Sequence, residues 1–325
     1  MDAYGIINDK APHIVADLCE IICYFEDSPV SRGDIEEFIN VKGGEGLLKQ
    51  LVTEGGAETN ERIQKFTEDA FKHLLYRQAA FGDWYPFRAE HDVLELCTPQ
   101  TAKHKIYAAL LADSRLKMFP QDQRAALAAE FEALCREAAA GLFPTWTIYH
   151  FGVGGADRAT FGNKLKDALP ALGAKIRDSV IQRRINELSD HNVGDGGIDL
   201  VAISEWSDPA EAVPVYFAQC AAQQENWPEK KFEAHPLTHE KYFNFFHKPG
   251  SIMFIPICYR GPDGLWIDSA GHQNILIDRL RIIQLFQRQI DDNSKTVEQL
   301  VEVIANPLAT GLFNAPDLAV AADAT

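Results

Sequence analysis

With 325 residues, 46% of them hydrophobic and 24% charged, the chain has the composition of an ordinary globular protein and the length for two domains. Its longest apolar runs, such as Ile252 to Cys258, fall far short of the roughly 18 residues that a membrane span needs. A formal net charge of −16 argues against a free-standing, nonspecific DNA binder, because phosphate contacts draw on Lys and Arg.

The N-terminus, MDAYGIINDK, has no basic stretch followed by an apolar core, so no signal peptide is expected and the cytoplasm is the expected compartment. Ala11 to Tyr24 places Ile14, Val15, Leu18, Ile21 and Ile22 at helical spacing, and Ser28-Pro29 ends the pattern. Ser31 and Asp34 open a second helix, Gly33 to Ile39, and GGEG at Gly43 to Gly46 separates it from Leu47 to Val52. Short helices in succession fit either a helix-turn-helix reader or a partner-binding unit. Asp34, Glu36 and Glu37 would repel DNA and favour the second reading.

Glu61 to Phe81 reads as an amphipathic helix, followed by the aromatic stretch Gly82 to Phe87, which suits a core plug or a stacking platform for bases. Further helices are expected from Thr101 to Lys117 and from Gln121 to Ala140, divided by Pro120. Next come the β-rich Trp146 to Phe151, the glycine turn Gly152 to Gly155, and helices Phe161 to Leu172 and Val180 to Leu188. The glycine turn resembles a phosphate cradle, but no Lys-Ser/Thr pair follows and a plain turn is expected. Lys164, Lys166, Lys175, Arg177, Arg183 and Arg184 crowd this region, either as a basic face or as a solvated one. The six cysteines are scattered, without a zinc pattern, and read as free thiols.

From Val193 the chain reads VGDGGIDLVAISEW, a glycine-rich turn that sets Asp199 at the head of an apolar run ending at Trp206. Ser207, Asp208 and Pro209 break it, and a second run, Val213 to Cys220, carries Gln219 near its end. Alternate side chains of a strand share a face, so an antiparallel hairpin can bring Asp199 and Gln219 to one point as oxygen ligands for a hard cation. After a mixed segment from Trp227 to Phe246, Ser251 to Tyr259 reads as a buried strand, although Pro256 argues for an edge or a bulge. Ala270 to Gln287 reads as a helix that buries Ile275, Leu276, Leu280, Ile283 and Leu285 and exposes Arg279 and Arg281. A short helix at Thr296 to Ile304 and a frayed end from Ala315 complete the chain.

Gly197-Ile198-Asp199, the strand after it and Gln219 on the next strand resemble the PD-(D/E)XK, or restriction-endonuclease-like, nuclease superfamily. The match is closest to its Mrr-like branch, where Gln-X-Lys replaces Glu-X-Lys. The order helix, strand, strand, helix, strand over roughly Ala128 to Tyr259 carries the resemblance. It implies an α/β chain: a helical N-terminal domain (1–120), a nuclease-like core (121–310) of mixed β-sheet flanked by helices with an insertion at about 141–192, and a tail (311–325). It implies Mg²⁺ or Mn²⁺ held by Asp199, Gln219 and Glu132, the acid of the first core helix, with Glu187 competing for that last role. Where the family carries its lysine this chain has Ala221, and Lys230 or Lys231 is the expected replacement. Asp195 is a further acid in the turn.

The implied activity is a metal-dependent endodeoxyribonuclease, a prokaryotic restriction or anti-phage effector with DNA, and a partner subunit or second copy, as its contacts and no membrane. The alternative is a decayed nuclease fold that serves as an interaction or nucleic-acid-binding subunit.

Overall fold

The computed structural model of the chain describes residues 12–25, 27–36, 57–116, 119–222, 227–267 and 273–304. The expected helix Leu47 to Val52, the last three residues of Gly33 to Ile39, and the tail lie outside them. The protein is mixed α/β and divides into two compact units, one of Met1–Leu127, Ile257–Ser269 and Val297–Thr325, the other of Ala128–Pro256 and Ala270–Thr296. Two late segments thus return to the first unit, so the units are not consecutive blocks. No helix among the described residues is long and apolar enough to cross a membrane.

The first unit contains Pro12–Phe25 (α1), Val30–Ser31 (β1), Ala57–Phe81 (α2), Phe87–Glu90 (β2), Val93–Leu96 (β3) and Ala102–Asp113 (α3). It is not purely helical, because β1, β3 and β2 form a small antiparallel sheet in that order. The turn between β2 and β3 is the two residues His91 and Asp92, both at positive φ, a conformation that matches the twist of the flanking strands. Such short strands leave little periodic signal in the sequence. Trp84, Tyr85 and Phe87 are buried, and Tyr85 and Phe81 meet Tyr107 of α3 edge to face, so the aromatic stretch is a core plug and not a base-stacking platform.

Beneath these rings lies a fully buried charge network. The guanidinium of Arg77 (α2) donates to Asp17 Oδ1 and Glu20 Oε2 of α1, each at 2.7 Å, and to the His13 carbonyl at 2.9 Å. Its Nε–H donates to His73 Nδ1 at 2.9 Å, which leaves the other ring nitrogen, Nε2, to donate to the Arg260 carbonyl at 2.7 Å. Tyr85 and Tyr107 hydroxyls complete the shell of Glu20. Burial opposes the charge on Arg77, but Glu20 and Asp17 outweigh it and hold the guanidinium protonated.

The second unit is built on Gln121–Leu142 (α4), a helix that starts in the first unit and continues into this one. It is followed by Thr147–His150 (β4), Arg158–Phe161 (α5), Leu165–Ile176 (α6), Ser179–Val180 (β5), Gln182–Asn186 (α7), Leu200–Ile203 (β6) and Val215–Cys220 (β7). Trp227–Lys230 (α8), Pro236–His239 (α9), Phe243–Asn244 (β8), Gly250–Phe254 (β9), Ile275–Ile277 (β10) and Arg279–Asp291 (α10) complete it; Val297–Glu302 (α11) belongs to the first unit. Five strands form one mixed sheet in the order β10-β9-β7-β6-β4, antiparallel from β4 to β7 and parallel from β7 to β10. The β-rich segment expected inside an insertion is therefore an edge strand of the main sheet, β4.

The sheet is apolar on both faces. On one, Val201, Ile203, Val215 and Phe217 pack with Leu165, Leu169, Leu172 and Ile176 of α6. On the other, Phe143 at the end of α4 stacks near Tyr216, and α10 approaches α4 at Gly141. A Cβ on Gly141 would stand 2.7 Å from both the Leu285 carbonyl and Gln289 Nε2. Beneath the first face His239 is fully buried, its Nε2–H donating to the Glu233 carbonyl at 2.8 Å, and burial lowers its pKa to about 4. An imidazole that resists protonation when folded stabilises above the ordinary histidine range and loses that contribution as pH falls toward 4. His239→Gln should therefore remove up to about 3 kcal/mol of acid destabilisation. Urea unfolding of both forms at pH 7.5 and near pH 4 tests this, and equal pH dependence would refute it.

The C-terminal part corrects the expected helix from Ala270. Ile275, Leu276 and Ile277 pair in parallel with Ile252, Met253 and Phe254 as β10, and the helix begins only after Asp278, whose carboxylate accepts from the Arg281 N–H. Ile275 is exposed, while Arg279 is fully buried with its Nε–H on the Pro256 carbonyl. An isolated apolar triplet before a capping Asp satisfies helical spacing as well as it satisfies a strand, and only the partner β9 separates the two.

Candidate active site

The site lies where β6 begins. Phe151 and Gly152, which follow β4, both donate their N–H to the Asp199 carbonyl, at 2.8 and 2.9 Å. Asp199 N–H donates to the Ala218 carbonyl at 2.9 Å, although the ladder pairs Ala218 with Leu200. Two residues of one strand thus face one of the next, which is a β-bulge, a device that re-aims a side chain at the end of a ladder. The carboxylate turns toward β7, and its Oδ2 accepts from Cys220 N–H at 2.6 Å.

The bulge changes the expected pairing. Unbroken register would set Asp199 across from Gln219 on one face. By the alternation of β7, Gln219 falls with Val215 and Phe217 on the α6 face; it is buried, and its Oε1 lacks a hydrogen-bond partner among the described residues. Cys220, on the opposite face, is in hydrogen-bonding contact with Cys135 of α4. The acid that raises the Asp199 pKa most among the described residues, Glu132, comes from that side. A Cβ placed on Gly152 would lie 3.2 Å from Glu132 Oε2 and 3.5 Å from Asp199 Oδ1, so the two carboxylates flank one point.

Electrostatics agree with this geometry. Burial raises the Asp199 pKa well above the usual carboxylate range; Glu132 raises it further, the Cys220 N–H counteracts, Asp195 raises it and Lys230 lowers it. Among the described residues, Glu132, Asp195 and Lys230 are therefore the charged groups that bear most on Asp199. Glu187 is not among them, being half exposed and paired with Arg183 and Arg184. Lys230 and Lys231 separate as well: Lys230 bears on Asp199, whereas the Lys231 ammonium sits 5.2 Å above the Phe232 ring. Asp195 closes its own turn by accepting the Gly197 N–H at 2.7 Å. Ala221 is buried and pairs through its N–H with the Phe254 carbonyl.

One residue that sequence reasoning passed over completes the group. His150, the last residue of β4, places Nε2 2.7 Å from Glu132 Oε2. Its signal in the sequence was a histidine at a strand end just before a glycine turn, which nothing links to a glutamate on a distant helix. Gly155 of that turn packs on the ring, and a Cβ there would fall 2.5 Å from the His150 carbonyl and 2.6 Å from ring Cδ2. Gly155→Ala should displace the ring and cost about 1–3 kcal/mol in urea unfolding; an unchanged midpoint would contradict that packing.

The basic stretch before the site is largely neutralised: Lys166 pairs with Asp190, Lys175 with Glu205, and Arg177 with Asp208. Arg158, by contrast, is buried beside the site, its guanidinium held by the Phe151, Asn163 and Gly194 carbonyls.

Among the described residues no group of three or more His, Cys, Asp or Glu side chains forms a ready-made metal cage. What the site offers a hard cation is a pair of carboxylates at one point, where Glu132 repels the ionised form of Asp199. A divalent ion relieves that repulsion, so the donor chemistry fits Mg²⁺ or Mn²⁺. In comparisons with known proteins no family model, no curated protein and no solved structure matches the chain.

Proposed function

We propose that the chain is a metal-dependent phosphodiesterase, an endodeoxyribonuclease of the kind used in prokaryotic restriction or defence against phage. The observation that carries the reading is the convergence of Asp199 and Glu132 on one point at the sheet end, with Lys230 bearing on Asp199. Support also comes from chain order once β4 to α7, which intervene after α4, and the short β8 are set aside: α4, then β6 and β7 as antiparallel neighbours, then the helices α8 and α9, then β9 parallel to β7. That is the helix, strand, strand, helix, strand series of the restriction-endonuclease-like core. Asp199 and Glu132 would hold the ion. Bound there, Mg²⁺ or Mn²⁺ supplies charge neutralisation and a water of lowered pKa. Lys230 offsets charge on the phosphate, the part that the resemblance gives to a lysine at the position of Ala221. With a net charge of −16, tight binding of DNA calls for a partner subunit to supply cations.

A second reading, a decayed nuclease fold acting as an interaction subunit, is favoured by Ala221 and by the lodging of Gln219 on the α6 face. Supercoiled plasmid incubated with the purified chain and Mg²⁺ or Mn²⁺ separates the two. Nicking that depends on Asp199 supports the first; equal, metal-independent signals from wild type and Asp199→Ala support the second.

A further inference from the structure

Glu132 is an unusual residue on which to rest a site. It projects from a helix on a long, rotamer-rich side chain, and about a quarter of that side chain is exposed. Left alone, it would spread over several rotamers, and holding one of them costs side-chain entropy. Asp199 needs no such help, because its backbone is bonded on both sides and its carboxylate is tied to the Cys220 N–H.

We propose that His150 is a positioning residue, whose Nε2–H bond to Glu132 selects the rotamer that brings this carboxylate to the point it shares with Asp199. A carboxylate accepts only, so Nε2 carries the proton and the bond has a fixed sense. The ring is well anchored. His150 backbone N–H donates to Asp157 Oδ2 at 2.9 Å, and Asp157 in turn meets Arg136 at 3.3 Å, four residues along α4 from Glu132. Strand β4 and helix α4 are thus joined twice, through Glu132–His150 and through Arg136–Asp157. Gly155 closes against the ring on its other flank. The residues directly after His150 donate to the Asp199 carbonyl, so a single strand end sets the backbone of one acid and the side chain of the other.

The inference rests on the reading of Asp199 and Glu132 as an ion-binding pair. Calorimetric titration of the full chain with Mn²⁺ tests it without requiring cleavage. Loss of the bond in His150→Ala should weaken Mn²⁺ binding about tenfold, as loss of an outer partner of a metal ligand typically does. His150→Gln, whose amide N–H can reach the same place, should restore most of it. His150→Ala should also add little to the loss already caused by Glu132→Gln. Circular dichroism melts establish that each variant is folded, and because Gln replaces the ring's packing poorly, rescue by Gln distinguishes positioning from bulk. Binding in His150→Ala equal to wild type, alongside loss in Asp199→Asn, would overturn the role of His150 and leave the ion site standing. Equal losses in His150→Ala and His150→Gln would also overturn it. Absence of saturable Mn²⁺ binding by the wild-type chain would remove both the ion site and the part given to His150.

Discussion

Asp199→Asn is expected to abolish plasmid cleavage and, in the same protein, to raise the stability of the metal-free form. Asparagine keeps an oxygen for the Cys220 N–H, which donates to Asp199 Oδ2 at 2.6 Å, so the bulge should survive. What disappears is the charge that pairs with Glu132 to attract a cation. The expected loss in rate is at least about 10³-fold, the scale on which removal of a central charge-stabilising group acts. The gain in stability follows from the raised Asp199 pKa, which burial and then Glu132 produce. An acid that holds its proton more tightly when folded contributes fully below its unfolded pKa and loses that contribution as pH rises through the folded value. Metal-free wild type should therefore lose stability relative to Asp199→Asn as pH rises from acid to neutral. Added Mn²⁺ should raise the melting temperature of wild type and leave the variant unmoved. Cleavage by Asp199→Asn at the wild-type rate would end the nuclease reading, and a stability difference independent of pH would show that burial and Glu132 do not raise the Asp199 pKa.

Arg77→Leu carries the other large effect, on stability. The guanidinium is fully buried and makes close contacts with Asp17 and Glu20, both likewise buried. Leucine fills much of the volume but leaves two buried carboxylates without the guanidinium that both contact. Breaking a buried pair from one side costs about 3–5 kcal/mol. Urea unfolding at pH 7.5 tests this, and a loss below about 1 kcal/mol would contradict the network. The double replacement with Glu20→Gln should recover part of the loss, since only Asp17 would remain charged.

Much of the fold was legible from spacing. Helical periodicity located α1, α2, α3 and α4 to within a few residues, and the apolar runs on either side of Ser207-Asp208-Pro209 became β6 and β7. Asp199 stands where the glycine-rich turn put it, at the head of its strand. The hairpin Phe87 to Leu96 escaped notice because four-residue strands with a tight two-residue turn hardly depart from a loop in composition. Ile275 to Ile277 was assigned to the wrong element because three apolar residues carry no period of their own.

The primary structure by itself determined which stretches are extended, which are helical, and that an aspartate opens one strand while a glutamine nearly closes the next. Local backbone preference and the alternation of apolar residues suffice for that, because both act over a few neighbouring positions. Only the tertiary structure decided which acid stands beside Asp199. A one-residue bulge at the start of β6 tips its carboxylate away from register with Gln219 and toward Glu132, and His150 reaches the same glutamate from a strand that follows α4. No spacing along the chain encodes that meeting, because it depends on how a strand end and a helix face are brought together when the sheet and its covering helix pack.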